Sequence, residues 1–176
     1  MKKLVVLMVA VFFSFFILVA GAPAATWKEF FSNEGSFSIL MPGVPTEQTK
    51  RLNTKAGAID MHLFILEQKN VAYFVSHIDY QEELLQQRND DEILDGARNG
   101  AVKNVQGKLL SEVPISLDNY PGREIRIETS DGKHTIQTRI YLVKNRLYQV
   151  MIVTPKENSF SKDVTKFLDS FKLLEK

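Results

Sequence analysis

An α+β fold, with an antiparallel sheet of about seven or more strands and helices packed on it as an α/β sandwich, follows from three features of this sequence. Apolar and polar residues alternate with a period of two through most of the chain, most regularly from Tyr120 to Thr154. The period lengthens to about 3.6 twice, after Gln81 and after Pro155. The end of the alternating region carries large apolar groups on both parities, Tyr148, Val150 and Ile152 interleaving with Leu147, Met151 and Val153, which predicts a covering layer on each side of that strand.

Met1 to Ala25 reads as a targeting segment. Lys2-Lys3 form a basic start, Leu4 to Ala20 is an apolar run broken only by Ser14, and Ala22-Pro23-Ala24 is an A-x-A cleavage site. Cleavage leaves a soluble exported chain; the run is also just long enough to span a bilayer, so an uncleaved anchor is the other reading. In both cases the basic residues precede the apolar run, which places the rest outside the cytoplasm, in the periplasm or extracellular space. Residues 26–176 are then expected to form a single domain, large enough to bury a core.

The chain has no cysteine among its 176 residues. That excludes disulfides, thiol catalysis and Cys-ligated metals, so stability must come from packing. Its 22 basic and 21 acidic side chains are evenly mixed, and loss of Lys2 and Lys3 leaves it close to neutral. Such a balance gives no electrostatic footprint for nucleic acid or anionic lipid. Membrane contact is expected only if the leader is retained.

Trp27 to Ser32 is a short strand and Asn33-Glu34-Gly35 its turn. Phe37, Ile39 and Met41 then alternate with Ser36, Ser38 and Leu40 until Pro42-Gly43-Val44-Pro45 stops the strand. Thr46 to Asn53 is polar and carries Lys50 and Arg51, as an exposed edge strand should. Ala56-Gly57 turns into a strand over Ala58 to Glu67, and Lys69-Asn70 into another over Val71 to Tyr80. Gln81 to Gln87 forms a short lead-in helix. Asn89-Asp90-Asp91 supplies an N-cap and first-turn acids for a second helix, whose stripe of Ile93, Leu94, Ala97, Ala101, Val102 and Val105 ends near Gly107.

Lys108 to Ile115 returns to strand. Tyr120-Pro121-Gly122 is a turn signal, with a strand starting at Arg123. A two-residue loop at Asp131-Gly132 puts Ser130 opposite Lys133, Ile127 opposite Ile136 and Glu124 opposite Arg139. Lys144-Asn145 turns next and sets Leu142 beside Leu147 and Tyr141 beside Tyr148. Ser161 to Leu173 closes the chain as a helix with Val164, Phe167, Leu168 and Phe171 on one face.

The opening Gly35-Ser36-Phe37-Ser38-Ile39-Leu40-Met41-Pro42, the hairpins, the mid-chain helix and the closing Phe167-Leu168-Asp169-Ser170-Phe171 resemble the PsbP-like superfamily over nearly the whole mature chain. That superfamily includes lumenal accessory proteins of the oxygen-evolving photosystem and a nuclear-import factor. The resemblance therefore implies a non-enzymatic binding or assembly module. No residue-level match to a metal- or partner-binding motif carries a family site over. The missing cysteine departs from the lipid-anchored bacterial members.

No G-x-S-x-G, H-E-x-x-H, P-loop or dinucleotide fingerprint occurs. If Lys69-Asn70 is a hairpin loop, His62 pairs with His77 and Asp60 with Asp79, all four on one face. Two imidazoles and two carboxylates suit a divalent metal, the sole cofactor the sequence suggests; the same four also fit a polar strand end facing solvent. Tyr120, Tyr141 and Tyr148, with Arg123, form a candidate ligand or partner groove, although the tyrosines equally suit packing under a helix. Arg123, Glu124 and Arg126 read as an anion-binding cluster or as rungs of a cross-strand charge ladder. The expected function is that of an exported, non-catalytic binding or assembly-accessory domain with a protein partner in the cell envelope. A carrier for a small, partly apolar ligand is the alternative, and a hydrolytic enzyme comes third.

Overall fold

The computed structural model describes residues 26–54 and 57–174. The expected leader and Ala56 of the expected Ala56-Gly57 turn lie outside them. Ten strands form two antiparallel sheets. The small one has β1 (Lys28–Ser32) beside β2 (Phe37–Met41), with β10 (Lys172–Leu173) on the far side of β2. The large one contains β3 (Thr46–Thr54), β4 (Gly57–Gln68), β5 (Val71–Asp79), β6 (Lys108–Leu117), β7 (Tyr120–Glu128), β8 (His134–Val143) and β9 (Arg146–Pro155), in the order β3-β4-β5-β9-β8-β7-β6. Three helices accompany them: α1 (Glu82–Leu85), α2 (Asp90–Asn104) and α3 (Lys162–Asp169). None is long and apolar enough to cross a membrane.

The large sheet is covered on both sides, as the two-parity apolar pattern of β9 predicts. On one face α2 presses Ile93, Leu94, Ala97 and Ala101 onto Ile125, Ile127, Ile136 and Ile140. Asn89 caps this helix as expected, its Oδ1 accepting from the Glu92 N–H at 2.9 Å. On the other face the small sheet and α3 bring Phe37, Ile39, Phe167 and Phe171 onto Phe64, Tyr73, Tyr141 and Tyr148. The separation of β1 and β2 into a sheet of their own is not foreseen by alternation, which reports faces and not partners.

Register follows the turns. Lys69-Asn70 closes β4–β5 with His62 opposite His77, and Tyr141 meets Tyr148 across β8–β9. Ile127 meets Ile136 and Glu124 meets Arg139 across β7–β8, although the loop between those strands is longer than the two residues expected. The Thr129 N–H donates to His134 O and the Gly132 N–H to Thr129 O, with Gly132 at φ 68°. Asp131 Oδ1 accepts from Lys133 N–H and so stiffens a four-residue loop.

Two expected boundaries move. The turn before β7 is Asp118-Asn119, at φ 47° and 70°, and Tyr120-Pro121-Gly122 lies inside the strand. Pro121 is tolerated there because it pairs with Ser116 of β6 while the β8 ladder begins one residue later, at Gly122. Gly122 serves close approach and not a turn, since a Cβ would meet Ile140 O at 2.5 Å. The closing helix ends at Asp169 and not Leu173. Ser170 Oγ donates to Phe167 O at 2.7 Å and accepts from Leu40 N–H at 2.9 Å, which turns the chain into β10. There the Leu174 N–H reaches Ser36 O at 3.0 Å.

Candidate functional site

The β4–β5 hairpin brings the two expected histidines together. Their rings stack at 4.7 Å with 8° between planes. The face they occupy is the aromatic one, beneath the β1–β2 turn, and not a solvent-facing strand end. Arg146 Nη1 donates to Glu34 O at 2.8 Å and Tyr148 OH to Gly35 O at 2.6 Å, which fastens that turn over the large sheet. His77 is 2% exposed, and neither of its ring nitrogens has a hydrogen-bond partner. Burial, helped by Arg146 and His62 and opposed by Asp79, lowers its pKa to about 4, so it is neutral at pH 7.

The carboxylates are not gathered with the imidazoles. Asp79 takes a forked pair of hydrogen bonds from Arg146 Nε and Nη2 at 2.6 and 2.7 Å, which holds its carboxyl below the usual range and raises Arg146. Asp60 pairs with Arg51 across β3–β4, 3.6 Å apart at an exposed position. His62 Nδ1 lies 3.4 Å from Glu34 Oε1 and 3.4 Å from Thr49 Oγ1. Stacked rings carry their nitrogen lone pairs side by side, whereas one zinc ion about 2.0 to 2.1 Å from both needs them to converge. Among the described residues no three His, Asp or Glu side chains are placed to share a cation. The four-residue ligand set expected from register is therefore two stacked histidines and two separate arginine–carboxylate pairs.

The tyrosine groove is also taken apart. Gly122 pairs with Tyr141, so Arg123, one residue on, faces the opposite side of the sheet. It reaches Asp91 of α2 and lies 3.4 Å from Glu112 of β6, which fixes the helix to the sheet. Tyr141 stacks on Phe171 at 6.0 Å and 5°, and Tyr148 packs edge-on to Phe37 and Phe171; both are buried, and Tyr120 is half-buried at the base of β6–β7. Of the charge ladder expected to join Glu124 with Arg139 and Arg126 with Glu128, the first rung is present and the second is not, since Glu128 pairs with Lys156. Arg139 Nε donates to Glu124 Oε2 at 2.6 Å, then Nη1 and Nη2 reach Leu168 O and Asp169 Oδ1 and so tie α3 down.

One surface escapes the sequence reading. Phe160 is 79% exposed, in the turn between a 3₁₀ segment (Lys156–Asn158) and α3, and the Arg126 guanidinium lies 4.7 Å from its ring centre. Spacing hides it: Phe160 stands four residues before Val164 and looks like the start of the helical stripe, but the helix begins at Lys162. Elsewhere two recesses are evident. One of about 20 Å³ lies under α2 between Leu52, Met61, Ala97 and Leu147. The other, of about 110 Å³, is lined by Glu34, Glu47, Thr49, His62 and Phe64.

No family model and no curated protein matches the chain. Its fold is PsbP-like, as the sequence resemblance implies. It is similar to the solution structure of cyanobacterial PsbP (CyanoP) from Synechocystis sp. PCC 6803, with a TM-score of 0.60 and 10% identity over 89% of this chain and 97% of that one. A protein of unknown function, PA94 from Pseudomonas aeruginosa, gives a TM-score of 0.43 at 10% identity, covering 79% of this chain and 90% of the other.

Proposed function

We propose that this chain is an exported, non-catalytic binding or assembly-accessory domain that meets a protein partner in the cell envelope. The observation that carries this reading is the presentation of Phe160. A phenylalanine ring left in water forgoes about 1.5 to 3 kcal/mol of burial, and protein interfaces draw their affinity from such aromatic and arginine anchors. The turn bearing it is ordered, with Ser159 Oγ donating to Lys156 O at 2.9 Å and the Ser161 N–H to Asn158 O at 3.0 Å. Val113, 50% exposed, lies on the same sheet face, since it pairs with Glu124 while Arg126 pairs with Ser111.

The leader pattern supports export and the PsbP-like layout supports a non-enzymatic role. A carrier is less favoured, because neither recess approaches the roughly 300 Å³ that small-molecule sites begin at. A hydrolase is less favoured too: His77, the most displaced base, has no hydroxyl within hydrogen-bond reach and is sealed from solvent. The test is a photo-crosslinking residue at position 160, compared in cells with one at Lys50 on the β3 edge. A discrete envelope-protein adduct from position 160 alone is expected. Equal adducts at both positions, or none at 160, would overturn the proposal.

A further inference from the structure

Resting on that reading, we propose that Arg126 and Phe160 anchor a partner segment presenting a carboxylate beside an apolar side chain. Arg51, Arg98, Arg123, Arg139 and Arg146 each have a carboxylate partner; Arg126, like Arg88, has none among the described residues. Its acidic neighbours are already engaged, Glu124 by Arg139 and Glu128 by Lys156. The guanidinium carbon lies over the Phe160 ring, 4.7 Å from its centre, and no carboxylate among the described residues takes its N–H donors. Arg126 Nε is buried without a hydrogen-bond partner. Directly across the β7–β8 ladder, Gln137 Oε1 is an equally unpartnered buried acceptor, its amide oriented by Nε2 donating to Glu124 Oε1 at 3.2 Å. An open donor and an open acceptor on paired residues form a polar floor, the donor suited to the segment's carboxylate and the acceptor to a backbone N–H of the same segment.

A carboxylate fits this site better than a nucleic-acid phosphate, because the chain as a whole is close to neutral and a polyanion needs a basic surface. A peptide supplies both halves of the match, the acid for Arg126 and the apolar group for Phe160 and Val113.

The probe is a displayed library of random peptides selected on the immobilised full chain, the winners being titrated by fluorescence anisotropy. Enrichment of Asp or Glu next to an aromatic or aliphatic residue is expected. Arg126→Gln and Phe160→Ala should each weaken the winners at least about tenfold, Arg126→Lys less. Phe160→Ala removes an exposed group, so it folds whatever the fate of the Arg126 variants. Winners that lack an acid yet lose affinity in Phe160→Ala would overturn the carboxylate while leaving the binding reading intact. Winners indifferent to both substitutions, or an oligonucleotide bound more tightly than any of them, would overturn the anchor.

Discussion

The two faces of the large sheet are built from different materials. The face under α2 is aliphatic, rich in isoleucine and leucine with Tyr80 and the partly buried Phe74 as its aromatic members, and α2 sits on it through Ala97, Gly100 and Ala101. The face under the small sheet is aromatic: Phe37 alone contacts the rings of Phe30, Phe64, Tyr148 and Phe171 at 5.3 to 6.3 Å. A single helix needs a smooth bed of branched side chains. A sheet plus a helix leaves a deeper, less regular gap, which rings fill while the Tyr148 hydroxyl reaches Gly35 O. Polar misfits occur on both faces: His77, Arg126 Nε and Gln137 Oε1 lie on the aromatic side, and Thr138 Oγ1 on the aliphatic one.

Substitutions sharpen or break this contrast. Phe37→Ala should destabilise most, by about 3 to 5 kcal/mol, because it opens a cavity among four rings, and urea denaturation reads it directly. Leu94→Ala on the aliphatic side should cost about 2 to 5 kcal/mol, with the helix better able to settle into the space. If it proves clearly the more damaging of the two, the aromatic face is not the dominant core. Tyr148→Phe keeps the ring and deletes the hydroxyl that serves Gly35 O, so a loss of about 1 to 3 kcal/mol is expected, together with faster amide exchange in the β1–β2 turn. An unchanged exchange rate there would show that Arg146 holds the turn unaided.

The smallest effect per unit is a pH slope peculiar to the aromatic side. His77 binds a proton near pH 4 in the folded chain but near its ordinary 6.5 when unfolded. The unfolded state therefore gains protons first as pH falls. Stability from this residue is complete above pH 6.5 and declines by about 1.4 kcal/mol per unit down to about pH 4. Asp79, whose carboxyl is held below its usual 3.8, adds its own loss only at lower pH. His77→Phe should flatten the upper window and leave the acid limb; a variant with the wild-type slope would assign that slope elsewhere.

Most of the large sheet was legible because tight turns fix register arithmetically: once Lys69-Asn70 and Lys144-Asn145 are placed, His62–His77 and Tyr141–Tyr148 follow. Legibility failed where two local signals competed. Tyr120-Pro121-Gly122 outranks Asp118-Asn119 on composition, yet the left-handed φ angles fall on the latter pair. Arg123 shows a different failure, since the parity that pairs Glu124 with Arg139 already sends it to the other face; grouping it with the tyrosines ignored that parity. The fate of Asp79 could not be read, because its partner Arg146 lies on β9, whose place beside β5 local sequence does not encode, whereas Arg51 and Asp60 pair between the consecutive strands β3 and β4.

β10 gives the chain an order of completion. Within β3 to β5 and within β6 to β9 each strand pairs with one made moments earlier, but β9 must reach back to β5, Leu40 waits for Ser170, 130 positions later, and β2 waits for Lys172 and Leu173. A nascent chain therefore emerges from the ribosome with its aromatic face lacking part of its roof until Val164, Phe167, Leu168 and Phe171 are made. Long-range closure of this kind is slow and leaves apolar surface open to holding chaperones. For the exported chain proposed above, that delay would keep the polypeptide pliable during synthesis and defer closure of the fold to the far side of the membrane.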